Sequence, residues 1–172
     1  MRGQRLQIVV MGVSGCGKSS FGAALAYGLV LDFVDGDDLH SVANVAKMRS
    51  GSPLDDADRA PWLDAIGTVL ADAAHHPDGV VIACSALKRA YRDRIRAAAG
   101  PMRFLFLDAD RALIERRFAG RQHFMPASLI DSQFATLERP GAGEPDVITL
   151  DAARPLGDLV ARTLPTLRPS TH

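Results

Sequence analysis

Eight residues near the start of this 172-residue chain, Gly12-Val13-Ser14-Gly15-Cys16-Gly17-Lys18-Ser19, constrain its fold more than any other stretch. They follow the apolar run Leu6 to Met11 and precede Phe21-Gly22-Ala23-Ala24-Leu25-Ala26, which continues as a helix. Strand, Gly-x-x-x-x-Gly-Lys-Ser and helix, in that order, form the context of a phosphate-binding loop. The glycines let backbone N–H groups turn inward, and the helix presents its positive N-terminal end to phosphate. Lys18 is expected to reach the β- and γ-phosphates and the Ser19 hydroxyl to ligate Mg²⁺, with Ser20 completing the loop's contacts. The expected ligand is therefore a nucleoside triphosphate.

The rest of the chain alternates strands and helices. Leu31 to Asp35, Val80 to Cys84, Arg103 to Asp108 and Asp146 to Leu150 read as four more short strands. Trp62, Leu63, Ile66, Val69, Leu70 and Ala73 recur at helical spacing after a start at Asp56-Ala57-Asp58, which places Trp62 in the core. Helices are also expected at 88–99, 111–118, 129–137 and 155–164, whereas 38–53 reads as a polar segment. The pattern predicts an α/β three-layer sandwich with a five-stranded parallel sheet, in one domain spanning 1–172. Ligands of such a sheet bind beyond the carboxyl ends of its strands, where the phosphate loop, Asp35, Asp37 and Ser85 all fall.

Lys plus Arg and Asp plus Glu number 20 each, which argues against a nucleic-acid or anionic membrane partner. No apolar run reaches membrane-spanning length, and the first residues lack a signal-peptide pattern, so a cytoplasmic protein is expected. Cys16 and Cys84 are the only cysteines, and free thiols fit that compartment. Cys16 sits near a helix N-terminus, where a thiol pKa falls, so oxidation or alkylation there is expected to block nucleotide; the alternative is an inert small residue. Only three of the 20 basic residues are lysines, Lys18, Lys47 and Lys88, marking sites for a compact ammonium rather than a planar fork.

A phosphate loop alone does not separate switch GTPases, motor ATPases and small-molecule kinases. The only Asn is Asn44, followed by Val45, so the Asn-Lys-x-Asp of a guanine site is missing. Asp108 ends an apolar strand and is one candidate magnesium carboxylate. Asp35-Gly36-Asp37 is the other: of two carboxylates one residue apart in a loop, one can support Mg²⁺ beside Ser19 and the other can accept the proton of an attacking hydroxyl.

Between Asp37 and Trp62 the chain reads His40-x-x-x-Asn44-x-x-Lys47-Met48, then Gly51-x-Pro53-Leu54-x-Asp56-x-Asp58-Arg59-x-Pro61-Trp62-Leu63. Cys84-Ser85-Ala86-Leu87-Lys88-x-x-Tyr91-Arg92-Asp93, His123-Phe124-Met125-Pro126 and Ser132-Gln133-Phe134-Ala135-Thr136-Leu137-Glu138 follow. Together these segments closely resemble the gluconate kinases, P-loop proteins whose fold is related to shikimate and adenylate kinases. The resemblance runs from about Leu6 to about Leu164. It implies a nucleoside-monophosphate-kinase-like fold, with a substrate-binding insertion at 38–60 and a lid at 117–127. It also implies transfer of the ATP γ-phosphate to the 6-hydroxyl of D-gluconate, and relatives point to a homodimer.

A polyhydroxy acid needs cations for its carboxylate and hydrogen-bonding groups for its hydroxyls. His40, Lys47, Arg49, Lys88, Arg92 and His123 are expected to supply the first, Asp37 and Asn44 the second, with Met48 and Gln133 also at the acceptor. The resemblance makes Asp37 the expected base, because the matching carboxylate in related kinases faces the acceptor hydroxyl, and Asp35 the expected support for Mg²⁺. In the lid, relatives usually read Arg-x-Gly-His-Phe, whereas this chain has Arg121-Gln122-His123-Phe124 with its glycine earlier, at Gly120. Arg117 and Arg121 are both candidates to close over the phosphates. The loop after the last strand, Asp151 to Pro155, is expected under the purine, with Arg154 or Arg117 stacked on the base. Two other readings remain at this point: a kinase for another small acid or polyol such as shikimate, and a nucleotide sensor without turnover.

Overall fold

The computed structural model describes residues 4–120 and 126–168. Five parallel strands, β1 (Leu6–Met11), β2 (Asp32–Asp35), β3 (Gly79–Ala83), β4 (Arg103–Asp108) and β5 (Val147–Asp151), pair in the order β2-β3-β1-β4-β5. The described helices are α1 (Lys18–Leu29), α2 (Val42–Arg49), α3 (Asp56–Ala71), α4 (Arg89–Ala99), α5 (Arg111–Ala119), α6 (Ala127–Thr136) and α7 (Leu156–Leu167).

Period-two alternation in the central strands sorts the core into two layers. Ile8, Val10, Val81, Leu105 and Leu107 face one side and pack with Phe21 and Leu25 of α1 and with Leu159 and Leu167 of α7. Val9, Met11, Val80, Ile82, Phe104 and Phe106 face the other and meet Trp62, Ile66 and Leu70 of α3 and Tyr91 and Ile95 of α4. Because both faces are covered, β1 and β3 read as unbroken apolar runs. The expected α/β sandwich and its five-stranded parallel sheet are therefore present.

The strand order fixes where a ligand can sit. The chain leaves β1 for α1 and then β2 on one side of the sheet, and leaves β3 for α4 and then β4 on the other. A crevice opens between the carboxyl ends of β1 and β3. One element departs from expectation: Val42–Arg49 is a helix rather than a polar loop. Ser41 caps it, its hydroxyl accepting from the Asn44 N–H at 3.1 Å. Only Asn44 of α2 is buried, so no apolar stripe announces the helix. The helix start at Asp56 is a reciprocal capping box. Asp55 Oδ1 accepts from the Asp58 N–H at 2.7 Å, and Asp58 Oδ2 accepts from the Asp55 N–H at 3.0 Å.

Candidate active site

The phosphate loop leaves β1 in the crevice and is tied to the strand beside it, the Gly12 N–H donating to the Ser85 carbonyl at 3.2 Å. Gly15 has φ +82°, and a Cβ there would lie 2.5 Å from the Phe118 ring of α5, so the loop needs glycine for both conformation and space. Lys18 Nζ donates to the Gly12 and Val13 carbonyls at 3.0 Å each. Its ammonium thus lies across the loop where phosphate oxygens are expected. Cys16 corrects an expectation. It is 2 % exposed with its sulfur packed beneath Gly12, and burial pushes the thiol up from its usual range despite the nearby Lys18. It is the inert alternative, not a reactive thiol.

The Ser19 hydroxyl donates to Asp35 Oδ2 at 3.0 Å, and Asp35 Oδ1 accepts from the Asp37 N–H at 3.0 Å. One carboxylate therefore links the Ser19 hydroxyl to the backbone that carries Asp37. A Cβ on Gly36 would collide with the Ala83 carbonyl, so glycine alone lets this turn lie against β3. The indole Nε1 of Trp62 donates to the Gly36 carbonyl at 2.7 Å and fixes the turn from behind. Partial burial, and next the charge of Asp35, raise the Asp37 carboxyl above its ordinary value, a shift suited to a proton acceptor. A hydroxyl beside a carboxylate is an oxygen donor set suited to Mg²⁺, which takes few protein ligands and completes its shell with phosphate oxygens and water. No group of three or more His, Cys, Asp or Glu side chains among the described residues forms a cage for a metal by itself. The other candidate carboxylate, Asp108, is ion-paired to Arg139.

Beyond Asp37 lies a polar wall built from α2 and the first turns of α3. His40 stacks on Trp62, with ring centroids 4.2 Å apart and planes 15° from parallel. Burial pulls the His40 pKa below its usual value, which favours a neutral hydrogen-bonding ring over the expected cation. Its Nδ1 lies 3.4 Å from Asn44 Nδ2, which donates to the Asp58 carbonyl at 2.8 Å. Lys47 pairs with the Asp58 carboxylate at 2.5 Å, and Lys88 with Asp56 at 3.1 Å. Tyr91 donates its hydroxyl to Asp56 and accepts from Arg59 Nη1 at 3.1 Å. His40, Asn44, Lys47 and Lys88 are thus gathered around one helix start. Asp56, Asp58 and Tyr91, to which the sequence reading gives no site role, hold them there, and Arg59, for which a site role and a structural one at this helix start stand equal, bonds Tyr91. Their signal was the Asp55-x-x-Asp58 capping box. Met48 and Arg49 are exposed on the last turn of α2.

Arg92 is a clear correction. Its side chain is 0 % exposed, and all five N–H groups are spent on Glu144, the Ala86, Leu87 and Glu138 carbonyls, and Glu144 again. It carries structure and has no donor left for an acceptor. Gln133 stands at the phosphate loop rather than the acceptor wall: its Oε1 accepts from the Ser14 N–H at 3.1 Å and the Ser14 hydroxyl at 3.3 Å. Arg117 donates to the Cys16 carbonyl at 2.8 Å and the Ala152 carbonyl at 2.7 Å, joining the loop to the turn after β5. A pocket of about 170 Å³ opens between that turn and α1, lined by Ser20, Arg117, Ala152 and Arg154 among others. Arg154 also pairs with Asp158 at 3.2 Å. Arg121 and His123 lie outside the described residues, as do the other residues of 121–125 in the expected lid.

A protein-family model described as an AAA domain matches residues 8–140. The chain is 41 % identical to the thermoresistant gluconokinase of Escherichia coli (strain K12) over 161 residues, covering 93 % of this chain and 92 % of that protein. It is 48 % identical to the gluconokinase of Gluconobacter oxydans over 139 residues, covering 80 % of this chain and 78 % of that protein. The crystal structure of a gluconokinase from Sinorhizobium meliloti 1021 superimposes with a TM-score of 0.85 at 46 % identity, covering 95 % of this chain and 93 % of that one.

Proposed function

This chain belongs to the gluconokinase family, and we propose that it transfers the γ-phosphate of Mg·ATP to the 6-hydroxyl of D-gluconate, releasing ADP and 6-phospho-D-gluconate. The observation that carries the reading is the run Ser19–Asp35–Asp37, which sets a metal-binding hydroxyl, its carboxylate and a base of raised pKa side by side at the crevice. Gluconokinases at 41 % and 48 % identity support that acceptor over shikimate or another polyol, and a sensor has no use for a tuned base.

The residues divide the work as follows. The loop from Gly12 to Ser20 holds the triphosphate through its backbone N–H groups other than those of Gly12, Ser14 and Cys16, which bond Ser85, Gln133 and Val13, and Lys18 turns from the loop carbonyls to the β- and γ-phosphates. Mg²⁺, when bound through Ser19 and Asp35, supplies positive charge to the phosphate oxygens as it builds on them. Asp37 accepts the proton of the 6-hydroxyl as its oxygen forms the new P–O bond and the bond to the ADP oxygen breaks. Lys47 and Lys88, already desolvated in part against Asp58 and Asp56, offer their remaining N–H bonds to the gluconate carboxylate. His40 and Asn44 bond its hydroxyls. The segment 38–60 thus serves as the acceptor wall and 117–127 as the lid, with Arg117 and Arg121 neutralising the transferring group. The purine occupies the pocket between Arg117 and Arg154. We place the enzyme in the cytoplasm, as a homodimer without nucleic-acid or membrane partners.

ADP release with Mg·ATP against D-gluconate, shikimate, glycerate, AMP and no acceptor tests the reading. Release with gluconate alone, abolished by EDTA, is expected. Release with another acceptor overturns the substrate, and nucleotide binding without acceptor-dependent release overturns the enzyme.

A further inference from the structure

Ala86, just past the carboxyl end of β3, has φ +44°, in the left-handed region that favours glycine. Among the described residues Val30 is the only other non-glycine with positive φ, and it lies exposed at the end of α1. Ala86 is instead fully buried, at the edge of the crevice. The left-handed region is open to glycine and strains an alanine. Such strain persists only where the surroundings over-determine it, and it collects at functional sites.

The surroundings here are the guanidinium of Arg92. Its Nη1 donates to the Ala86 carbonyl at 2.9 Å and to the Leu87 carbonyl at 3.1 Å, gripping the strained residue and the one after it. The rest of the group is anchored on the Glu138 carbonyl at 3.0 Å and on both Glu144 oxygens at 2.7 Å. The Leu87 carbonyl accepts a second bond, from the Glu138 N–H at 2.8 Å. Ala86 packs in the core layer of α3 and α4, and Leu87 in that of α1 and α7, so both layers hold the turn.

On either side of Ala86 the turn touches one half of the reaction. The Ser85 carbonyl accepts from the N–H of Gly12, the first residue of the phosphate loop, at 3.2 Å. Lys88 pairs with Asp56 in the acceptor wall at 3.1 Å. The span from Ser85 to Lys88 therefore joins the donor loop to the acceptor wall.

Resting on the phosphoryl-transfer reading of the crevice, we infer that Ala86 is a positioning residue, whose clamped left-handed turn sets the phosphate loop against the acceptor wall. A looser turn leaves each substrate its own contacts but lets the two halves drift, and a small misalignment of reacting groups is costly in rate. Glycine at position 86 keeps the observed φ without strain and admits many other conformations. The change also removes a buried methyl group, so its effects on stability oppose each other.

Ala86→Gly thus separates positioning from packing. Single-turnover phosphoryl transfer at saturating Mg·ATP and D-gluconate should fall about tenfold or more, with both KM values within about twofold and Tm within about 4 °C. Amide hydrogen exchange at Gly12 in the nucleotide-free chain should quicken about fivefold or more, because its acceptor is the Ser85 carbonyl. Unchanged exchange at Gly12 would overturn the positioning whatever the activity of the chain. Faster exchange with the parental transfer rate, or a raised KM in place of the rate loss, would also overturn it. Faster exchange in a chain whose parent transfers nothing to gluconate would discard that acceptor and support the coupling of turn to loop.

Discussion

The imidazole of His40 and the indole of Trp62 stack 4.2 Å apart, and the same indole anchors the Gly36 carbonyl between Asp35 and Asp37. One aromatic side chain therefore touches both the acceptor wall and the catalytic turn. Trp62 is the only tryptophan in the chain, so its fluorescence reports on this point alone. A protonated imidazole on its face is expected to quench it. Burial pulls the His40 pKa down, so the quenching transition should have its midpoint below the ordinary histidine value of about 6.5. Asp37 opposes that shift, and Asp37→Asn should move the midpoint lower still. A midpoint above 6.5 would show that burial does not dominate at His40, and one indifferent to Asp37→Asn that the two groups are not coupled.

Asp37→Asn removes the proposed proton acceptor while keeping the shape of the turn, whose Asp37 N–H still reaches Asp35. Turnover should fall by about 10²–10⁴-fold, with nucleotide affinity kept within a few-fold. In the parent chain the raised carboxyl pKa predicts an acidic limb in the kcat profile above the ordinary aspartate range, because only the ionised form accepts the proton. Loss of that limb together with the loss of rate identifies the group. A variant with parental turnover would remove Asp37 from the chemistry.

Much of this arrangement is legible in the sequence because the relevant forces are local. Val9 and Val10 are buried on opposite faces of a central strand, which gives the continuous apolar run. Gly15 must be glycine, which gives the loop its signature. Arg92 misled because its motif and charge say nothing of Glu144, 52 residues away, which takes two of its N–H bonds in the interior. His40 differs from expectation for a related reason: burial, with the Trp62 indole stacked on its ring, lowers its pKa. The helix α2 was hidden because its packing is polar, Asn44 and Lys47 bonding to Asp58 of the next helix.

Gln133 bonds the Ser14 N–H and hydroxyl, so it shapes the phosphate loop from the segment that follows the lid. Gln133→Ala should raise KM for ATP about three- to thirtyfold, the loss of one or two neutral hydrogen bonds, and leave KM for the acceptor nearly unchanged. Ser14→Ala should have a smaller effect, because the backbone N–H bond persists. Steady-state kinetics with each substrate varied in turn separates the cases. A rise confined to the acceptor KM would return Gln133 to the acceptor site.

Arg92 and Glu144 form a fully enclosed pair, with side chains 0 % and 3 % exposed. The Arg92 guanidinium lowers the Glu144 pKa to about 2, from an unfolded value near 4.5. An acid whose pKa is lower in the folded state adds stability that is complete above its unfolded pKa and drains away as pH falls toward the folded one. Thermal stability should therefore drop between about pH 4.5 and 2, more steeply than in a variant without the carboxylate. Glu144→Gln leaves a buried guanidinium short of its counter-charge and should cost about 3–5 kcal/mol at neutral pH, near 10 °C in Tm for a chain of this length. Arg92→Ala should be as damaging by the same route, and any folded fraction should keep the parental acceptor KM. Calorimetry across pH with kinetics on the folded fraction checks both halves. A stable Arg92→Ala enzyme with a raised acceptor KM would move this arginine back to the substrate.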